Sequence, residues 1–237
     1  MTSVAFDRLA ATYDQHWTNS AIGRAQRDQV WKRIDPLFNP GDRILDIGCG
    51  TGADAAHLSA LGMQVHATDP SPAMISEARR HGTFTTQILR AQDLATLTTT
   101  YDGVISNFGA LNCVPELPGA ALARVLKPGA RLAICTIGRF CAWELLFHPK
   151  RRLSGTASSS LGTIYYPTVR EICAALPDFT LDSWSGIGVF VPPSYVRMPA
   201  VLVRFGAVLD RIFARLPFFR ALADHRLLIF TRKSHAG

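Results

Sequence analysis

The run Ile44-Leu45-Asp46-Ile47-Gly48-Cys49-Gly50-Thr51-Gly52 holds the densest chemical signal in the chain. An apolar stretch feeds directly into alternating glycines. Glycine is needed where backbone must turn tightly and meet a ligand with no Cβ in the way. A second stretch, Val65-His66-Ala67-Thr68-Asp69, ends in a carboxylate 17 residues after Gly52. An acidic side chain there can accept two hydrogen bonds from a ribose diol. Together the two segments specify a nucleoside ligand.

Two parses of the turn compete. Gly50-Thr51-Gly52-Ala53-Asp54-Ala55 satisfies the dinucleotide fingerprint, which would make the chain an NAD-dependent Rossmann oxidoreductase. Asp46, two residues before the first glycine, ranks that parse second. A carboxylate there suits a ligand with a positive amino group and repels a pyrophosphate. Nor do Tyr165, Tyr166 or Tyr195 lead to the Tyr-x-x-x-Lys pair used by short-chain dehydrogenases.

These residues must be held by strands and helices that alternate. Strands are predicted over 43–47, 64–68, 86–91, 103–106 and 131–136, then over 179–185 and 225–232. Helices are predicted over 21–34, 53–61, 117–126, 169–175 and 200–216. Ser71 caps a further helix with Pro72 in its first turn. Such alternation implies parallel strands joined by right-handed crossovers. The rhythm breaks at 140–161, read as a helical and loop insertion with a Ser-rich turn.

At this point the motifs resemble the class I S-adenosylmethionine-dependent methyltransferases. LDIGCGTG resembles their first motif, ATDPSPAMISEAR their second and AQDL their third. YDGVISNFGALNCV and LKPGARLAICT resemble the fourth and fifth strands with their flanking turns. The opening FDRLAATYD is similar to the N-terminal cap of the quinone-biosynthesis subgroup, small-molecule enzymes in which a tyrosine, here Tyr13, often lies near the cofactor carboxylate. The resemblance spans residues 42 to 138 and fades after 140. It implies an α/β, doubly wound, seven-stranded, mostly parallel sheet with an antiparallel last strand, the Rossmann-like methyltransferase fold. The cofactor it implies is S-adenosylmethionine. Gly48, Cys49 and Gly50 would meet the methionyl part, with Asp46 balancing its amino group. Asp69, followed by Pro70, would take the ribose hydroxyls. Met74 and Leu94 would pack on the purine or belong to the core. Asp93, with Gln92 beside it, would accept from the purine amine or cap a helical turn. Asn107 and Phe108 would face the methyl group.

Methyl transfer from a sulfonium is an in-line displacement, so positioning and exclusion of water dominate. Candidate bases are His16, Glu144, His148 and His225. His148 is preferred because it sits in the insertion and titrates near neutral pH. Phe140, Trp143, Leu146 and Phe147 form one apolar helical face. Val201, Val208, Leu209, Ile212 and Phe213 form another, and Phe218 and Phe219 follow. Together with Tyr165 and Tyr166 they predict a small apolar or aromatic acceptor bound between the fourth-strand loop, the insertion from Phe140 to Tyr166 and the C-terminal helix. Arg204, Arg211 and Arg215 on that helix allow peripheral contact with a membrane surface.

Composition fits this reading. The 237 residues suit one domain, divided as cap helices (1–37), a cofactor-binding half (38–138), an insertion or lid (139–166) and C-terminal helices and strands (167–237). Neither a signal peptide nor a spanning run is legible, so a soluble, cytoplasmic protein is expected. Five cysteines without a Cys-x-x-Cys pair argue against disulfides and a metal site. The net charge of +7 would attract polyanions. Yet the only dense basic cluster is Lys150-Arg151-Arg152. The sequence after the fourth strand, Ser106-Asn107-Phe108-Gly109, also lacks the Pro-Pro-Tyr of enzymes that methylate DNA amino groups. Nucleic acid is therefore not the expected partner, and a small molecule is. A cofactor-binding regulatory protein without activity is the non-enzymatic alternative.

Overall fold

A computed structural model describes residues 2–147, 155–159 and 162–234. Helix α1 (Thr2–Tyr13) runs through a π-helical turn (Asp14–Thr18) into α2 (Ala21–Ile34). The alternating part follows: β1 (Arg43–Ile47), α3 (Ala53–Ala60), β2 (Gln64–Asp69), α4 (Pro72–Ala78), β3 (Thr85–Ile88), β4 (Tyr101–Ser106), α5 (Gly119–Val125) and β5 (Leu126–Ile137). Then come α6 (Ala142–Phe147), β6 (Thr156–Ser159), β7 (Gly162–Tyr165), α7 (Val169–Ala175), β8 (Phe179–Ile187), α8 (Ala200–Phe213), α9 (Pro217–Ala221) and β9 (His225–Arg232).

The main sheet has seven strands in the order β3-β2-β1-β4-β5-β9-β8. β1 to β5 are parallel, and β9 runs antiparallel to both β5 and β8. Successive residues alternate between two cores, as the period of a strand requires. Leu45, Ile47, Leu132, Ile134, Leu228 and Phe230 pack on one face with α5 and α7. Ile44, Ala133, Cys135 and Leu227 pack on the other with Val30 and Ile34 of α2 and Ala55 and Leu58 of α3. A sheet covered on both faces gives the near-continuous apolar strands seen in the sequence. Strand order reverses between β1 and β4. The crevice at their carboxyl ends is where a doubly wound sheet binds its ligand.

Two local expectations change. Lys127-Pro128-Gly129 does not separate helix from strand. Pairing with β4 begins at Leu126, and the segment bulges out before register resumes at Arg131. Gly129 supplies the positive φ, +76°, that the bulge requires. The insertion also contains a β-hairpin, β6 with β7, where loop was expected. Buried Asn112 ties that hairpin down: its amide donates to the carbonyls of Tyr165 and Ile137, at 2.5 and 3.2 Å, and accepts from Ile137 N at 2.9 Å.

Candidate cofactor site

A cavity of about 380 Å³ opens at the carboxyl ends of β1, β2 and β4. It falls within the size range of small-molecule sites. After β1 the chain turns through Gly48 and Gly50, both at positive φ (+71° and +55°). The N–H groups of Gly48 and Cys49 donate to the Thr68 carbonyl at the end of β2, locking the turn to the sheet. A Cβ at Gly48 would lie 2.2 Å from that of Ala110, whereas one at Gly50 would meet only open space. The first glycine is thus demanded by packing. The second leaves a bare stretch of backbone at the cavity wall.

Asp69 ends β2 beside this turn. One carboxylate oxygen accepts from Gly50 N at 3.0 Å and the other from Ser71 N at 2.8 Å. Burial pushes its carboxyl up to about 6, against those two backbone donors. Asn107 follows β4, is buried at the wall, and neither its amide nitrogen nor its oxygen has a hydrogen-bond partner within the protein. Buried amides are normally satisfied, so an orphaned one at a cavity points to a polar ligand. Phe108 next to it holds φ = +52°, a costly conformation for a residue with a side chain. It is braced by ring-edge contacts to Trp17 (4.7 Å) and His225 (5.5 Å), and by the Arg27 guanidinium 4.8 Å over its face.

Of the thirteen residues expected to hold the cofactor, ten line this cavity: Tyr13, Gly48, Cys49, Gly50, Asp69, Pro70, Met74, Gln92, Asn107 and Phe108. Three do not. Asp46 is 1% exposed and off the wall, with one carboxylate oxygen unpartnered. Desolvation, then the neighbouring Asp54 charge, raise its pKa well above the usual range. Asp93 turns away to Arg90, 2.8 Å distant, on a short 3-10 turn (Ala91–Thr96). That turn also aims Leu94 into the core, so Leu89 and Ala91 supply apolar wall instead.

The described part of the expected lid lies off the cavity. No described residue of 139–166 or of α8 lines the cavity. Its cover is N-terminal: Phe6 and Tyr13 from α1 and Trp17 from the π-helical turn. Four polar contacts fasten this cover to the segments beneath. Ser71 Oγ and Ala73 N donate to Asp7 at 2.5 and 3.2 Å, Thr51 Oγ donates to Asp14 at 2.6 Å, and His81 Nε2 lies 3.0 Å from the same Asp14. Burial at the wall pushes the Tyr13 phenol up to about 12, which keeps it neutral. Sequence reasoning missed Trp17, Arg27 and Asp54 at the wall. Arg27 pairs with Asp54 at 2.6 Å and Trp31 donates to the same oxygen at 2.7 Å.

Three of the four candidate bases lie elsewhere. His16 is exposed and pairs with the Thr12 carbonyl at 2.9 Å. Glu144 accepts from the Tyr195 hydroxyl at 2.6 Å. His225 touches the outer edge of Phe108 without reaching the wall. His148 and the Lys150-Arg151-Arg152 cluster lie outside the described residues.

The comparisons with known proteins meet this geometry. Residues 44–129, from β1 into the bulge of β5, match the family described as a methyltransferase domain. The match covers 86 of the 237 residues. The matched segment contributes the glycine turn, Asp69, Asn107 and most of the cavity wall. The chain is 36% identical over 143 residues to a demethylmenaquinone methyltransferase of Clavibacter sepedonicus, covering 56% of each chain. It is 32% identical over 148 residues to a ubiquinone biosynthesis O-methyltransferase of Xanthomonas oryzae, covering 56% of this chain and 60% of that one. The chain thus matches little more than half the length of these curated relatives. A solved S-adenosylmethionine-dependent methyltransferase of Methanosarcina mazei shares the fold, with TM-score 0.60 and 19% identity over 85% of this chain and 97% of that one. The matched segment therefore sits on a Rossmann-like, doubly wound scaffold, as the resemblance of its motifs implied.

Proposed function

We infer that the protein is an S-adenosylmethionine-dependent methyltransferase acting on a small, largely apolar or aromatic acceptor. The observation that carries this reading is the convergence of Asp69, the open Gly50 backbone and the orphaned Asn107 amide on one cavity of the methyltransferase domain. Asp69 would hold the ribose hydroxyls, Gly48 to Gly50 the methionyl part, and Met74, Leu89 and Ala91 the purine. Bound there, the cofactor supplies a methyl group already activated on a sulfonium. The protein then has to orient the acceptor, exclude water through the α1 cover and fill the donor and acceptor sites of the polar atoms. Trp17, Phe108, Leu111 and Val114 give the wall an apolar and aromatic stretch suited to such an acceptor. The quinone-directed names of the curated relatives agree with that class. An acceptor carried in a bilayer would call for contact between protein and membrane, and α8 offers a surface for it.

Among the described residues no histidine or glutamate lines the cavity. Labelled-methyl transfer into lipid, small-molecule, RNA and protein fractions of a lysate tests the reading, alongside calorimetry with S-adenosylmethionine and NAD. Label in an organic-extractable small molecule is the expected result. Tight NAD binding with no heat from either methylated or demethylated cofactor would sink the assignment.

A further inference from the structure

Helix α8 is mounted with its apolar side outward. Its inward side is small and polar: Val203, Gly206 and Asp210 are buried. Asp210 is the anchor. Its carboxylate accepts from the N–H groups of Val189, Phe190 and Val191 at 3.0, 2.8 and 3.3 Å, and from Gln29 of α2 at 3.1 Å. At Gly206 a Cβ would come within 2.9 Å of the Phe190 carbonyl, so the helix lies close against that segment. The residues at spacings of four, three and four, Val201, Phe205, Val208 and Ile212, point the opposite way. They are 73%, 63%, 48% and 60% exposed. Leu216 and Phe218 extend the exposed apolar surface beyond the helix.

Charge along the same segment has one sign at the surface. Tyr195 to Leu222 contains five arginines and one acidic residue, and that residue is the buried Asp210. At 100° per residue, Arg204 and Arg211 fall together along one flank of the apolar stripe, Arg215 follows two residues past the helix end, and all three are exposed. An exposed apolar stripe edged by arginines is the pattern of helices that lie in the plane of a bilayer. No described helix is long and apolar enough to cross one. We propose that α8 docks the protein on an anionic lipid surface, with Val201, Phe205, Val208 and Ile212 entering the headgroup–acyl boundary and the arginine row on lipid phosphates. The inference stands apart from the methyl-transfer reading, because it uses no residue of the cavity.

The test is flotation of the full chain with phosphatidylcholine vesicles with and without phosphatidylglycerol. The protein should float with the anionic vesicles and stay behind with the neutral ones. Each arginine near an anionic surface strengthens binding about fivefold, so replacing Arg204, Arg211 and Arg215 by Gln should weaken it on the order of 100-fold. Phe205→Glu should abolish flotation while leaving the unfolding temperature unchanged, since Phe205 has no core to lose. A Phe205→Trp variant should show indole fluorescence quenched by brominated acyl chains. Absence of flotation with anionic vesicles overturns the proposal. A concentration-dependent dimer split by Phe205→Glu, with no quenching by brominated lipid, would assign the stripe to a second copy of the chain instead.

Discussion

At Asp69, burial favours the proton and two backbone N–H groups favour the anion. With its carboxyl near 6, the cavity without ligand holds this proton at a pH where the unfolded chain has released it. Ribose hydroxyls would add donors and favour the anion further. Cofactor binding near pH about 5.5 should therefore release a proton, and affinity should fall as pH drops through about 6. Calorimetry in two buffers of different ionisation enthalpy reads this directly; identical heats at that pH would exclude Asp69 as the linked group. Replacing Asp69 by Ala should weaken binding about 10- to 150-fold, the cost of losing hydrogen bonds to a charged group. Equilibrium dialysis with labelled cofactor measures it, and parental affinity would place the ribose elsewhere. Asp69 was legible because a strand-ending carboxylate after a glycine turn has few other uses. Arg27 was not. It lies beside Gln26 and Gln29 on the inner side of α2, where Ile22, Val30 and Ile34 mark the buried face but do not reveal which polar neighbours share it. Asp93 shows the converse failure, since its residue type fitted but the 3-10 turn rotated it out to Arg90.

At the scale of elements, β1, β2, β4 and β5 could be read because a two-sided core makes them continuous apolar runs bounded by turn residues. The hairpin β6–β7 escaped because Thr156–Ser159 has almost no apolar content, and its anchor, Asn112, lies far away in sequence. α8 was read as apolar and basic, but its direction was not legible. The buried Asp210 with its three backbone donors, and the close approach at Gly206, set which side faces inward. The glycine turn allows a sharp test. Gly48→Ala places a methyl group against Ala110 and forces a left-handed backbone on a side chain, which alone costs about 1–2 kcal/mol. Gly50→Ala meets the same backbone penalty without the clash. Chemical denaturation should thus find Gly48→Ala the less stable of the two; equal stabilities would mean that Ala110 yields freely.

The molecule as a whole divides its surfaces. The reversal of strand order opens a crevice at one end of the sheet, α1 covers it, and α8 turns an apolar stripe to the outside. Because both side chains are largely exposed, Val201→Ser with Ile212→Ser should change unfolding free energy by no more than about 0.5 kcal/mol while raising solubility. A larger loss in thermal melts would show that α8 is held by its outer side after all.

The fastening of the cover has a consequence for handling the protein. Thr51 and Ser71, which grip Asp14 and Asp7, stand one residue from Gly50 and two from Asp69. Ligand and cover therefore stiffen the same two loops, and whichever arrives first lowers the ordering cost for the other. Trypsin offers a simple gauge of this, since Arg8 lies within the cover. Cleavage after Arg8 should slow as the cavity fills with S-adenosylmethionine, so the rate of nicking near the first helix becomes a titration of occupancy. Nicking that ignores the cofactor would mean that the segment stays closed, or open, whatever the cavity holds.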